Sequence, residues 1–168
     1  AADSAWITGA VTDFHWSAGN HPRFSAEITG TGGYYHYQNQ FYDPEVNGDA
    51  LGTLAYQVIP GALTLLAQDN FTQSRINELA PVTPDNRQNV NRITAGPELQ
   101  LHPGGAQNLL LAQALYERAD FANSPLDSDT IRGQLSIGRS LDARHALNLT
   151  AAVRDVTDHA SGKNPYFR

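Results

Sequence analysis

From Val90 to Leu101 apolar and polar residues alternate almost without a break. Ile93, Ala95, Pro97, Leu99 and Leu101 fall on one side; Arg92, Thr94, Gly96, Glu98 and Gln100 fall on the other. The code returns at Ile131, Gly133, Leu135 and Ile137 against Arg132, Gln134, Ser136 and Gly138, and again at Leu147, Leu149, Ala151 and Val153 against Asn148, Thr150, Ala152 and Arg154. A side-chain period of two is a β-strand with one apolar and one polar face. These runs are about ten residues long, where soluble strands have a mode of roughly 5–6. A tilted strand needs about 9–11 residues to cross a bilayer, so the length points towards a membrane barrel.

The pattern predicts eight strands, at 5–16, 22–38, 50–59, 62–73, 90–101, 106–120, 128–141 and 145–157. No long stripe of period 3.6 competes with them, and glycine and proline are spread along the whole chain. The connections alternate in length. Ser17–His21 with Ala18-Gly19-Asn20, Pro60-Gly61, His102–Gly105 and Asp142–Arg144 are short. Asn39–Asp49, Ser74–Asn89, Phe121–Asp127 and the stretch from Asp158 onward are long. Outer-membrane barrels pair short periplasmic turns with longer outer loops, whereas a sandwich has no reason to alternate. Ser74–Asn89, with two prolines and little to bury, is expected to face outside as the most mobile connection.

Together these features predict an all-β protein: an antiparallel up-and-down meander, forming a transmembrane β-barrel or a segment of a larger one, over a single domain at 1–168. A first connection that is short, and the tail Pro165-Tyr166-Phe167-Arg168 that reads as a loop entering another strand, favour the segment. Closure as an eight-stranded barrel is the alternative. Aromatic residues refine the expectation. Tyr34, Tyr35, Tyr37, Phe41 and Tyr42 crowd the end of strand two, and Phe71, Tyr116 and Phe121 sit at the same end of their strands. They are read as an aromatic belt at one rim, where amphipathic rings favour the headgroup level. Core aromatics of a soluble sheet are the competing reading.

Composition narrows the function classes. The net charge is −6 over 168 residues, which argues against nucleic acid as a partner. There is no cysteine, which removes disulfides and thiolate metal sites. Ten of the eleven basic residues are Arg, the exception being Lys163, and Arg keeps its charge and fork geometry in crowded polar interiors. No apolar run approaches the ~20 residues of a transmembrane helix.

Two pieces of sequence carry a resemblance. One is Gln68-Asp69-Asn70-Phe71-Thr72-Gln73-Ser74-Arg75 with Thr83-Pro84-Asp85-Asn86-Arg87-Gln88-Asn89 and Thr94-Ala95-Gly96-Pro97. The other is Tyr116-Glu117-Arg118-Ala119-Asp120-Phe121 followed by Ser124-Pro125-Leu126-Asp127-Ser128-Asp129. Over about 68–140 the chain resembles bacterial outer-membrane β-barrel (porin-like) proteins associated with exosortase (PEP-CTERM) and exopolysaccharide systems. The resemblance implies an outer-membrane location, a lipid surround and envelope polysaccharide machinery or a homo-oligomer as partner. It implies little chemistry.

Candidate chemistry is sparse. Asp43-Pro44-Glu45-Val46-Asn47-Gly48-Asp49 looks like the start of a calcium loop, but position twelve is Leu54 where a bidentate Glu is needed, so an acidic turn is the better reading. Gly30-Thr31-Gly32-Gly33 precedes tyrosines rather than a helix and has no lysine after it. The six histidines have no ligand spacing, and no Gly-x-Ser-x-Gly elbow exists. Neither cofactor nor metal is expected, and the chain is read as a non-enzyme. The informative group is the charges on polar faces. Arg92, Glu117, Arg132 and Arg154 are expected to point inward near the long-loop rim, with Glu27 and Glu98 deeper. They would form either a charged ring that selects what passes through a pore or a ladder of lumen salt bridges. The function expected is a porin-like channel or envelope-polymer export pore. A structural or adhesive β-protein assembling through strand edges, and a soluble carbohydrate-binding sandwich using Tyr34–Tyr42 and Trp16, are the alternatives.

Overall fold

The computed structural model describes residues 7–38, 44–77, 79, 86–122, 127–141 and 145–159. They form eight strands: β1 (Ile7–His21), β2 (Phe24–Tyr37), β3 (Glu45–Ile59), β4 (Leu63–Arg75), β5 (Arg87–Leu101), β6 (Asn108–Phe121), β7 (Asp127–Ser140) and β8 (Ala146–His159). All neighbours are antiparallel and follow chain order in one sheet. The sheet is open: β1 and β8 are its two edges, so the chain does not close as an eight-stranded barrel. No helix lies among the described residues.

The hairpins follow turn chemistry. In Ile59-Pro60-Gly61-Ala62 the Ala62 amide donates to the Ile59 carbonyl at 3.0 Å, and Gly61 has φ 70°. His102-Pro103-Gly104-Gly105 repeats it, with Gly105 N to His102 O at 3.1 Å and φ 76° at Gly104. Proline at the second position and a positive-φ glycine at the third define a type II turn. The first hairpin corrects the sequence reading. β1 continues through Ala18-Gly19-Asn20, and the turn falls at Pro22-Arg23, after a register shift between Ala18 and His21. The alternation of connection length is strong only in the first half. Residues 22–23 and 60–62 are short against 38–44 and 76–86, but 102–107 is longer than 122–126.

One irregularity is imposed by sequence. The β5–β6 ladder passes from Ala95↔Tyr116 to Glu98↔Gln113, skipping Gly96 and Pro97. Proline has no N–H to donate, and a Cβ on Gly96 would run into the Ala114 carbonyl oxygen. Gly96→Val is therefore expected to force the strands apart and to lower stability by about 1–3 kcal/mol, read as a lower urea midpoint. An unchanged midpoint would mean that the close approach at Gly96 is dispensable.

Residues opposite one another in a ladder share a face, so the registers sort every strand. One face carries Glu27, Thr53, Gln68, Thr94, Gln113, Gln134 and Thr150 among others; the other carries Ile28, Leu54, Leu65, Ile93, Leu135 and Leu149. Leucines 51, 66, 109, 111 and 115 intrude on the polar side. A single cavity of 340 Å³ touches Ser25, Thr53, Leu66, Thr94 and Leu115, from β2 to β6, so the polar face is the inside of the curve. Burial is inverted relative to a water-soluble sheet. The buried strand residues Gln88, Val90, Glu117, Ala119, Thr130 and Ser136 all lie on the polar face. Ile131, Leu149 and Val153, on the outer face, are 60%, 70% and 70% exposed.

Candidate functional site

The six charged residues singled out in the sequence, Glu27, Arg92, Glu98, Glu117, Arg132 and Arg154, share the polar face. Glu117 is the centre of the group, only 8% exposed. It pairs with Arg92, whose Nε lies 3.3 Å away on β5, and accepts from Arg132 Nη2 on β7. Adjacent strands of a sheet place their side chains about 5 Å apart, which is why one carboxylate reaches both flanking guanidinium groups. Arg154 stands directly opposite Arg132 and makes no ion pair with any described residue. Arg92, Arg132 and Arg154 outnumber Glu117 on these rungs, while Glu98 and Asp158 lie farther along the same face of β5–β8. Glu98 accepts from Gln113 Nε2 at 3.0 Å, and Glu27 lies 3.6 Å from His15.

Charge-assisted contacts made in half-exposed surroundings are moderate in strength. Glu117→Gln is expected to cost about 1–2 kcal/mol, because Arg92 and Arg132 lose their common anion. Arg92→Gln, which leaves the Arg132 contact, should cost less. Equal losses in urea unfolding would assign the whole effect to the β5–β6 contact.

The aromatic belt divides. Tyr34, Phe71 and Tyr116 are on the outer face near the long-loop rim. Tyr35, Tyr37 and Phe121 are on the polar face, so they do not belong to a belt on the outer one. Phe41 and Tyr42 lie outside the described residues. A second outer group was not expected: Trp16, Phe24 and Tyr56 near the short-turn rim, Phe24 and Tyr56 directly opposed. On β2, Phe24 and Tyr34 are ten positions apart, which at about 3.4 Å each and a tilt of roughly 35–45° spans about 24–28 Å along the axis. Even numbering on β1 to β3 was the available signal. Above Tyr116 the outer face turns charged. Tyr116 donates to Asp129 at 2.7 Å, His159 lies 2.7 Å from the same carboxylate, and Arg118 pairs with Asp120 at 3.0 Å.

The long-loop rim holds further contacts that periodicity does not reveal. β3 pairs with β2 up to Glu45, and β4 with β5 up to Arg75, but β3 and β4 part beyond Ala50↔Phe71. Gln73 spans the opening. Its Oε1 accepts from Gly48 N at 3.3 Å, and its Nε2 donates to Val46 O at 3.5 Å and to Asn89 Oδ1 at 3.0 Å. The Glu45 carboxylate accepts from Tyr37 Oη at 2.9 Å and from Arg87 Nη1 at 2.8 Å. Glu45–Asp49, read as an acidic turn, thus opens β3. Arg75 and Arg87, read within a loose connection, face each other in the ladder, and Asn77 and Asn86 exchange hydrogen bonds at 2.8 Å beneath it. Among the described residues no group of three or more His, Asp or Glu is placed to hold a metal ion.

No family model matches the chain, and no curated protein or solved structure does either.

Proposed function

We propose that this chain forms part of the wall of an outer-membrane β-barrel that works as a porin-like channel or an export pore for an envelope polymer. The observation that carries the reading is the inverted burial: the buried strand residues lie on the polar side, inside the curve, and from β2 to β7 most large aliphatic side chains face out. Soluble monomers rarely expose a continuous apolar surface beyond a few hundred Å², and lipid is the solvent such a surface fits. The two aromatic groups, set about a hydrocarbon thickness apart, support it. The inner face offers water, hydroxyls, amides and the Arg92–Glu117–Arg132 cluster to whatever passes. Further strands or another copy would complete the perimeter between β1 and β8.

A second reading rests on those same edges. Among the described residues β1 and β8 are each paired along one side only, and such edges template pairing between chains. A structural or adhesive protein would use them to assemble. Purified protein in detergent separates the two. The channel reading expects heat-modifiable migration on a gel and discrete conductance in a planar bilayer. Fibres or oligomers forming in water without detergent, and no conductance, would replace it with the adhesive one.

A further inference from the structure

On the inner face near the long-loop rim, the splitting of β3 from β4 leaves a cavity of 620 Å³, inside the range of about 300–1,000 Å³ common for small-ligand sites. Its floor is made by Tyr35. A Cβ on Gly9, directly across the ladder, would come within 2.7 Å of the Tyr35 ring, and one on Gly33, two positions earlier on the same strand, within 2.8 Å. The ring therefore lies down over two glycines whose missing side chains make room for it, and it presents its other side to the cavity. Around it stand Thr31, Asn47, Asp49, Thr72 and Ser74. Thr31 donates to the Asp49 carboxylate.

We infer that this cavity is a subsite for one ring of a polysaccharide, stacked on Tyr35 and hydrogen-bonded to Asp49. A flat aromatic ring suits the C–H face of a pyranose, and the hydroxyl rim of such a sugar supplies donors to Asp49 and acceptors to the guanidinium groups of Arg75 and Arg87, which also line the cavity. The inference deepens the channel reading, since it requires the inner face to be open to water and solute. It also gives the paired glycines a use beyond the covering of bare backbone by a neighbouring ring.

Calorimetry on the detergent-solubilised protein with maltohexaose as probe, run beside bilayer recordings, tests it. Binding with a dissociation constant on the order of 1 mM is expected. Tyr35→Phe should keep it, and Tyr35→Leu should weaken it roughly five- to tenfold with little change in unfolding midpoint. No heat from maltohexaose in a protein that conducts overturns the subsite and leaves the channel standing. Binding in a protein that never conducts overturns the channel and leaves the subsite. Should Tyr35→Leu not fold, Gly9→Ala decides, because it lifts the ring without removing it. Unaltered binding in that variant overturns the proposal.

Discussion

Leu135→Arg is expected to destabilise the protein by about 2–4 kcal/mol in lipid vesicles, and Gln134→Arg, one residue away, by well under half of that. Leu135 sits near the middle of β7 on the outer face, opposite Ala112 and Ala151. Gln134 lies on the inner face beside Ser136, to which its amide donates at 3.3 Å. A charge carried to the middle of a bilayer loses its hydration, and the cost falls towards either interface. In water the same half-exposed leucine would be an ordinary surface position, where substitutions stay within about 0.5 kcal/mol. Urea unfolding from vesicles reads the difference. Equal and small effects at 134 and 135 would mean that the outer face does not meet lipid.

Reversing the arginines clustered on the inner face of β5–β8 should change which ions pass. Arg154 is the residue to reverse first, because it makes no ion pair with a described residue and its loss leaves Glu117 with both partners. Arg154→Glu changes the local charge by two units. At about 8 Å in water this alters the energy of a passing monovalent ion by about 1 kcal/mol, and screening over a Debye length of about 8 Å leaves about 0.4 kcal/mol. The effect has opposite sign for cation and anion, so their permeability ratio should move roughly three- to fourfold towards cations. Adding Arg92→Glu and Arg132→Glu should move it further, while exposing Glu117 to like charge. Reversal potentials in a salt gradient measure the shift. A conducting protein with unchanged selectivity would assign these arginines to structural pairing.

The strands were legible in the sequence because nearly every one keeps period two where side chains are large. Boundaries failed where they are small. Glu45-Val46-Asn47-Gly48-Asp49 belongs to β3, but glycine at an outward position erased the alternation and left two acids that read as a turn. Ala18-Gly19-Asn20 looked like a turn for the same reason, although Pro22 marked the true one. The inward charges were legible from parity alone, since Arg92, Arg132 and Arg154 each interrupt an apolar alternation at a polar position. The contact of Glu117 with two arginines was not, because it depends on inter-strand register, which a single strand does not encode. The belt was misjudged by counting rings at a strand end without sorting them by parity. Tyr34 and Tyr35 are adjacent and must face opposite ways. Gln73 and the parting of β3 from β4 have no sequence signal of this kind.

The two open edges also set an arithmetic for completion. β1 descends from the long-loop rim and β8 ascends to it, since eight strands alternate in direction. An all-antiparallel ring alternates up and down around its whole circumference, so whatever fills the space between β8 and β1 must contribute an even number of strands. A single added strand, or any odd set, would force one parallel junction. A second copy of this chain satisfies the parity with eight, and it does so through one two-fold axis, with each β8 meeting the other copy's β1. The same rule fixes orientation. The added strands must begin downward beside β8 and end upward beside β1, which puts their outermost hairpins on the short-turn rim, opposite the one that carries the 76–86 connection.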